Sequence, residues 1–155
     1  MVEVYLDSAS IPEMTKWADK VQGFTTNPTL MRKANIADYK NWAQEVISRF
    51  PDKQISFEVI GDDWDSIFDQ AQKLAALGQN VYVKVPIVLT NGVPTHDMIK
   101  ALMREGVKVN VTAVMTDGQM RALAHSMRRG FPAVVSVFAG RIADTGRDPV
   151  ITINQ

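Results

Sequence analysis

Seventeen basic and seventeen acidic residues in 155 give a formal net charge of zero, and no basic cluster is interleaved with aromatics, so a nucleic-acid partner is not expected. The absence of cysteine excludes disulfides and thiol nucleophiles, and two histidines far apart, His96 and His125, make no metal site. The mix of 46% hydrophobic and 22% charged residues suits one globular domain over 1–155; with no signal peptide and no membrane-length apolar run, the expected location is the cytoplasm.

Val2 to Asp7 (VEVYLD) alternates and ends on an acid, which predicts a first strand with Asp7 at its carboxyl end. Ser10, with Glu13 three residues on, predicts a capping box for a helix that takes Pro12 in its first turn and runs to about Lys20. Gly23 to Pro28 predicts the second strand, Pro28 ending it and holding Asn27 extended. The next helix buries Tyr39, Trp42, Val46, Ile47 and Phe50, spaced by three and four. Gln54 to Ile60 (QISFEVI) is the third strand, with Glu58 near its end. Asp62 or Asp63 caps a helix whose inner face is Trp64, Ile67, Phe68, Ala71, Leu74 and Ala75, and Gly78 is its left-handed stop.

Val81 to Pro86 (VYVKVP) is the fourth strand, and its apolar run around Lys84 reads as buried on both faces. Thr95 caps a helix through Met98, Ile99, Leu102 and Met103 that stops at Gly106. Val107 to Val114 is the fifth strand, carrying Asn110 and Thr112. Asp117 opens a helix through Met120, Leu123, Ala124 and Met127 that stops at Gly130. Ala133 to Phe138 is the sixth strand, carrying Ser136. A Gly-containing loop with Arg141 and Arg147 follows, and the pattern gives residues 149–155 no assignment.

Strict strand–helix alternation implies parallel βα units with right-handed crossovers. An open doubly wound sheet and a (β/α)8 barrel both fit. No Gly-rich phosphate loop follows the first strand, as a dinucleotide-binding sheet would require. Asp7, Asn27, Glu58, Lys84, Thr112 and Ser136 each fall toward the carboxyl end of a different strand, and barrels build their sites from several strand ends at once. The expected fold is therefore α/β of the (β/α)8 TIM-barrel type, with about six βα units in the chain.

Lys84 is the candidate nucleophile. Taking a lysine out of water disfavours its ammonium form, and a lysine that sheds its proton attacks a carbonyl to form a Schiff base. An ion pair or a stem that snorkels to the strand end is the bland alternative. Glu58 is either the proton shuttle such chemistry needs or Lys84's salt-bridge partner. Asp7 is a hydroxyl-orienting acid or a turn cap. Asn27, Asn110, Thr112 and Ser136 suit a polyhydroxylated substrate, or are satisfied strand-end groups. Arg141 and Arg147 match phosphate geometry, or are solvated.

The motifs Tyr5-Leu6-Asp7, Thr25-Thr26-Asn27-Pro28, Phe57-Glu58-Val59, Val83-Lys84-Val85-Pro86, Asn110-Val111-Thr112 and Ser136-Val137-Phe138-Ala139-Gly140-Arg141-Ile142 together resemble the transaldolase family, in particular its short members, which include fructose-6-phosphate aldolases. The resemblance implies a Schiff base on Lys84 and acid/base work by Glu58 through a bound water, helped by Thr112. It also implies hydroxyl and proton handling by Asp7 and Asn27, a lining of Asn110 and Ser136, and a sugar phosphate held by Arg141. It implies no metal or organic cofactor. Glu58 and Phe138 resemble the transaldolases, where fructose-6-phosphate aldolases tend to have Gln and Tyr. The expected reaction moves a dihydroxyacetone unit from fructose 6-phosphate to an aldose phosphate such as erythrose 4-phosphate. The alternatives are a free-aldolase lyase and an inactive barrel remnant. Family members continue through seventh and eighth strands and C-terminal helices, so the chain reads as C-terminally truncated; a complete version is expected to be a homo-oligomer.

Overall fold

The computed structural model of the chain describes residues 2–155. The elements follow in chain order: β1 (Tyr5–Asp7), α1 (Ile11–Trp17) with a 3₁₀ turn (Ala18–Lys20), β2 (Gly23–Thr25), α2 (Pro28–Lys33), α3 (Tyr39–Arg49), β3 (Gln54–Glu58), α4 (Trp64–Ala75) and β4 (Val81–Pro86). Then come α5 (His96–Arg104), β5 (Val109–Val114), α6 (Asp117–Ala124), β6 (Ala133–Val137), α7 (Ala139–Asp144) and α8 (Pro149–Ile153). Among the described residues no helix is long and apolar enough to cross a membrane.

The six strands form one sheet in the order β1-β2-β3-β4-β5-β6, every pair parallel. The order never reverses, so there is no switch point of the kind an open doubly wound sheet uses. Curvature decides the matter. Asn110 on β5 donates from Nδ2 to Ser56 Oγ on β3 at 3.1 Å, across β4. In a flat sheet strands two apart lie about 9–10 Å from each other, so a direct bond between these short side chains needs a curled sheet. The architecture is that of the first six units of a (β/α)8 barrel.

The two faces of the curl differ. Val81, Val83 and Val85 are at most 2% exposed and belong to the apolar layer under the helices, with Phe24, Ile55, Phe57, Val109 and Val111. Met14, Met31, Trp42, Val46, Ile67, Met98, Ile99, Leu102 and Leu123 cover that layer. The rings of Trp42 and Tyr39 stand edge-on to Phe57 at 5.8 and 6.2 Å, and Phe24 meets Phe50 at 4.8 Å. The alternate positions Tyr82, Lys84 and Pro86 take the concave face, where Tyr82 and Pro86 are partly exposed. The reading of β4 as buried on both faces holds for its valines and for Lys84, while Tyr82 and Pro86 on the concave face are partly exposed.

Several local expectations change too. Ser10 accepts from Glu13 N, but Glu13 Oε2 accepts from Ser8 Oγ at 2.6 Å, and Ser8 Oγ accepts from Ser10 N at 3.0 Å. The capping box is thus closed through Ser8 rather than directly. Residues 28–33 form a helix that the apolar pattern does not show, capped by Asn27. Asp63 caps α4, but Trp64 is 44% exposed rather than on its inner face. Gly78 has no positive φ; a Cβ there would meet Asn80 Oδ1 at 2.9 Å, so the glycine serves close approach rather than a left-handed stop. Thr95 is the N-cap residue of α5, but its Oγ1 donates to the Pro86 carbonyl at 2.5 Å and makes no bond to the helix, and Thr116, with Gln119, caps α6. The expected fifth and sixth strands shorten to Val109–Val114 and Ala133–Val137, the α6 segment ends at Ala124, and the unassigned tail forms α8.

Among the described residues β1 pairs only with β2 and β6 only with β5. The sheet is open between them, and β6 is half-buried along its whole length.

Candidate active site

The concave face at the carboxyl ends of the strands holds a cleft of about 750 Å³ to which every strand contributes. Its lining includes Asp7, Asn27, Glu58, Lys84, Asn110, Thr112, Ser136, Phe138 and Arg141, so all nine expected residues meet in one place. The register explains much of this. Glu58 pairs with Lys84, and Lys84 with Asn110, so three polar side chains sit side by side on one face.

Lys84 is 7% exposed. Its Nζ donates to the Thr26 carbonyl at 2.9 Å and lies 3.3 Å from Glu58 Oε2. The ion pair is present, and the carbonyl contact was not foreseen, because it depends on how the chain leaves β2. Pro28 holds Asn27 extended (φ −153°, ψ 164°), and Thr26 N donates to the Ser56 carbonyl at 3.2 Å. The Thr26 carbonyl is left facing the lysine. A buried nitrogen with a carboxylate beside it has both a proton acceptor within reach and a fixed direction of approach.

Around this pair the polar groups are ordered. Thr25 Oγ1 donates to Asp7 Oδ1 at 2.7 Å across β1 and β2, which orients the carboxylate. Ser136 Oγ donates to Asn110 Oδ1 at 2.7 Å, and Asn110 Nδ2 continues to Ser56. Asn27 Oδ1 accepts from Leu30 N at 3.0 Å, so this side chain caps α2 while lining the cleft. Thr112 is 2% exposed, yet its Oγ1 has no hydrogen-bond partner among the described residues. Buried hydroxyls are almost always partnered, so this one is available to a substrate or an ordered water.

Phe138 supplies an apolar wall and is 38% exposed. Arg141 lies on α7 rather than in a loop; its side chain is 75% exposed, with Nη1 3.8 Å from Asp144 Oδ2. Its guanidinium can meet an anion at the cleft's rim. Arg147 is not part of the cleft; it donates to the Met115 carbonyl and to Thr145. Thr25, Thr26 and Ser56 are participants the sequence reading missed. Ser56 was accessible in principle, since it stands two residues before Glu58 on the same face of the strand.

A second cleft, of about 670 Å³, shares Glu58 and Pro28 with the first and is walled by Met31, Ile36, Val59, Pro86 and Val88. Here the Tyr39 hydroxyl donates to the Glu58 carbonyl at 3.0 Å. Burial, reinforced by the charge of Glu58, pushes the ionisation of this phenol well above its ordinary range. Among the described residues no group of three or more His, Cys, Asp or Glu side chains converges as a metal site would.

Residues 4–154 match the family described as transaldolase/fructose-6-phosphate aldolase. Two bacterial proteins, each named "Probable transaldolase", from Dehalococcoides mccartyi and Carboxydothermus hydrogenoformans, are 35% identical over 158 residues, covering 99% of this chain and 68% of theirs. A third of that name, from Nitrosopumilus maritimus, is 35% identical over 154 residues, covering 95% of this chain and 63% of its own. The chain thus spans about two thirds of the length of these relatives.

Proposed function

The chain belongs to the transaldolase/fructose-6-phosphate aldolase family, and from that premise we propose that its cleft performs Schiff-base carbon–carbon chemistry on a ketose phosphate with Lys84 as nucleophile. The observation that supports this best is the pairing of a 7%-exposed lysine nitrogen with Glu58 at 3.3 Å, inside a cleft ringed by strand-end polar groups.

Glu58 takes a proton from the Lys84 ammonium, and the freed amine adds to the ketose carbonyl. Glu58, directly or through a water held by the unpartnered Thr112 hydroxyl, protonates the departing hydroxyl, and water leaves to give the iminium. Asp7, oriented by Thr25, takes the proton of the β-hydroxyl. The bond between the α and β carbons then breaks, an aldose phosphate departs, and a three-carbon enamine stays on Lys84. An acceptor aldehyde forms the new bond with that enamine, its oxygen regains the proton from Asp7, and water frees the lengthened ketose. Asn27, Asn110 and Ser136 hold the hydroxyls of the three-carbon unit, and Arg141 holds the phosphate at the rim. The site works without a metal or organic cofactor.

Transfer rather than release is the preferred outcome, because Phe138 offers the enamine no proton. A Phe138→Tyr variant, which sets a phenol beside the enamine while leaving Glu58 in place, is expected to gain free-aldolase activity, and failure to gain it counts against this reading. The substrate assignment is tested by incubating the chain with fructose 6-phosphate and erythrose 4-phosphate. Formation of glyceraldehyde 3-phosphate and a seven-carbon ketose phosphate, absent with Lys84→Ala, supports it. Glyceraldehyde 3-phosphate without the longer ketose indicates the lyase reaction instead.

A further inference from the structure

Beside and beneath the reacting pair the concave face carries further polar side chains. Ser56 stands two residues before Glu58 on the same face of β3 and is 0% exposed; Asn110, in register with Lys84, is 1% exposed. Alternation along β5 sets the face that Asn110 takes but leaves the rotation of its amide open. Two hydroxyls settle that rotation. Ser136 Oγ on β6 donates to Asn110 Oδ1 at 2.7 Å, and Asn110 Nδ2 donates to Ser56 Oγ on β3 at 3.1 Å. The two anchors differ. Ser136 belongs to a half-buried strand with one neighbour, whereas Ser56 lies on a strand paired on both sides, and its carbonyl accepts from Thr26 N at 3.2 Å. A carboxamide nitrogen carries two hydrogens. Ser56 takes one, and the other is donated to no described residue, although Asn110 lines the cleft. A buried N–H costs stability unless something accepts it, so this donor suits the oxygen of a ligand. Packing alone does not call for the pair, because an apolar pair of the same shape would be about as stable.

We propose that Ser56 is a positioning residue: by accepting one N–H of Asn110 it turns the other toward a hydroxyl oxygen of the bound three-carbon unit. The proposal rests on the assignment of Asn110 to that unit above. Without the Ser56 oxygen the amide keeps only its Ser136 partner and can rotate about its last side-chain bond, which spreads the donor over several directions. The loss therefore falls on substrates that bring the hydroxyl and spares those that lack it.

The test follows the rate at which a ketone forms a borohydride-trapped adduct on Lys84, read by peptide mapping. Dihydroxyacetone is compared with acetone, which lacks both hydroxyls. Ser56→Ala, Asn110→Ala and the double variant are set beside the wild-type chain, with circular dichroism to establish that each is folded. Ser56→Ala is expected to slow the dihydroxyacetone adduct about tenfold, the worth of roughly one well-placed hydrogen bond, and the acetone adduct less than about twofold. In the Asn110→Ala background the same substitution is expected to cost less than about twofold with either ketone. A merely structural role slows both ketones alike, so an equal loss overturns the proposal. A loss that persists without Asn110, or a dihydroxyacetone adduct that is not slowed, overturns it too. Should Ser56→Ala not fold, Ser56→Cys decides, because its thiol fills the hydroxyl's place but accepts only weakly: the same selective loss supports the proposal, and an unselective loss or none overturns it. A wild-type chain that forms no adduct on Lys84 with either ketone rejects the lysine reading itself, whereas an adduct whose rate does not depend on Ser56 rejects only the positioning role.

Discussion

Glu58 serves Lys84 twice, as counter-charge at 3.3 Å and as the nearest proton acceptor. Glu58→Gln removes both roles while keeping the side chain's shape and its capacity to accept a hydrogen bond. Adduct formation is expected to slow by about 10²–10⁴-fold if Glu58 is the acid/base, the usual worth of such a group. A rate close to wild type means that adduct formation needs neither the charge of Glu58 nor its proton transfer. Tyr39 tests the other side of the same residue, through its bond to the Glu58 carbonyl. Its folded ionisation lies above the ordinary value of about 10. The contribution of this phenol to stability is thus complete below that pH and lost as pH rises through it, where only the unfolded chain can ionise. Tyr39→Phe is expected to flatten the alkaline limb of the stability profile in denaturant titrations. An unchanged limb means the phenol is not held neutral by burial. Asp7, Glu58, Lys84, Thr112 and Ser136 were legible because each is a polar residue toward the end of a short apolar strand. The Thr26 carbonyl was not, because a backbone acceptor has no signature in side-chain identity.

Caps were legible as residue types but not always as partners. Ser10 and Glu13 stand at the right spacing, yet Ser8 intervenes, because its hydroxyl reaches Glu13 at 2.6 Å. For α6 the reciprocal box of Thr116 and Gln119 is complete. Thr116→Ala is expected to cost about 1 kcal/mol, seen as a drop of a few degrees in the thermal midpoint; no change means that α6 is held by its buried Leu123 alone. The helix α2 escaped the pattern because only Met31 of its six residues is buried, too little for a periodic stripe. The alternation of β4 was present in VYVKVP, but Tyr82 counts as apolar in composition and leaves Lys84 the one charged residue of the run, which hid the cleft-facing side. At the same scale, Phe57 joins β3 to Tyr39 and Trp42 of α3. Phe57→Ala is expected to cost about 3–5 kcal/mol, measured by urea unfolding, and a loss below about 1 kcal/mol contradicts its place at the centre of that cluster.

For the whole molecule, six apolar runs separated by helical patterns were enough to give the strand count and the parallel order. Curvature was not legible, because it is a property of tertiary pairing: Ser56 and Asn110 are 54 residues apart and meet only when the sheet curls. The described sheet has two edges, β1 and β6, each with one strand neighbour, while β3 and β4 have two. Stability should grade accordingly across the fold. Amide hydrogen exchange is expected to be slowest in β3–β5 and clearly faster in β1 and β6; β6 protected as well as β4 contradicts an open edge in solution. Such an edge is also a place where another strand can pair.

Whether Lys84 is a nucleophile is decided by borohydride trapping. The chain is mixed with fructose 6-phosphate, reduced, digested and mapped by mass spectrometry, with Lys84→Ala alongside. One stable adduct is expected, on Lys84, and is lost in the variant. Folded protein that gives no adduct, or one that persists in Lys84→Ala, contradicts it.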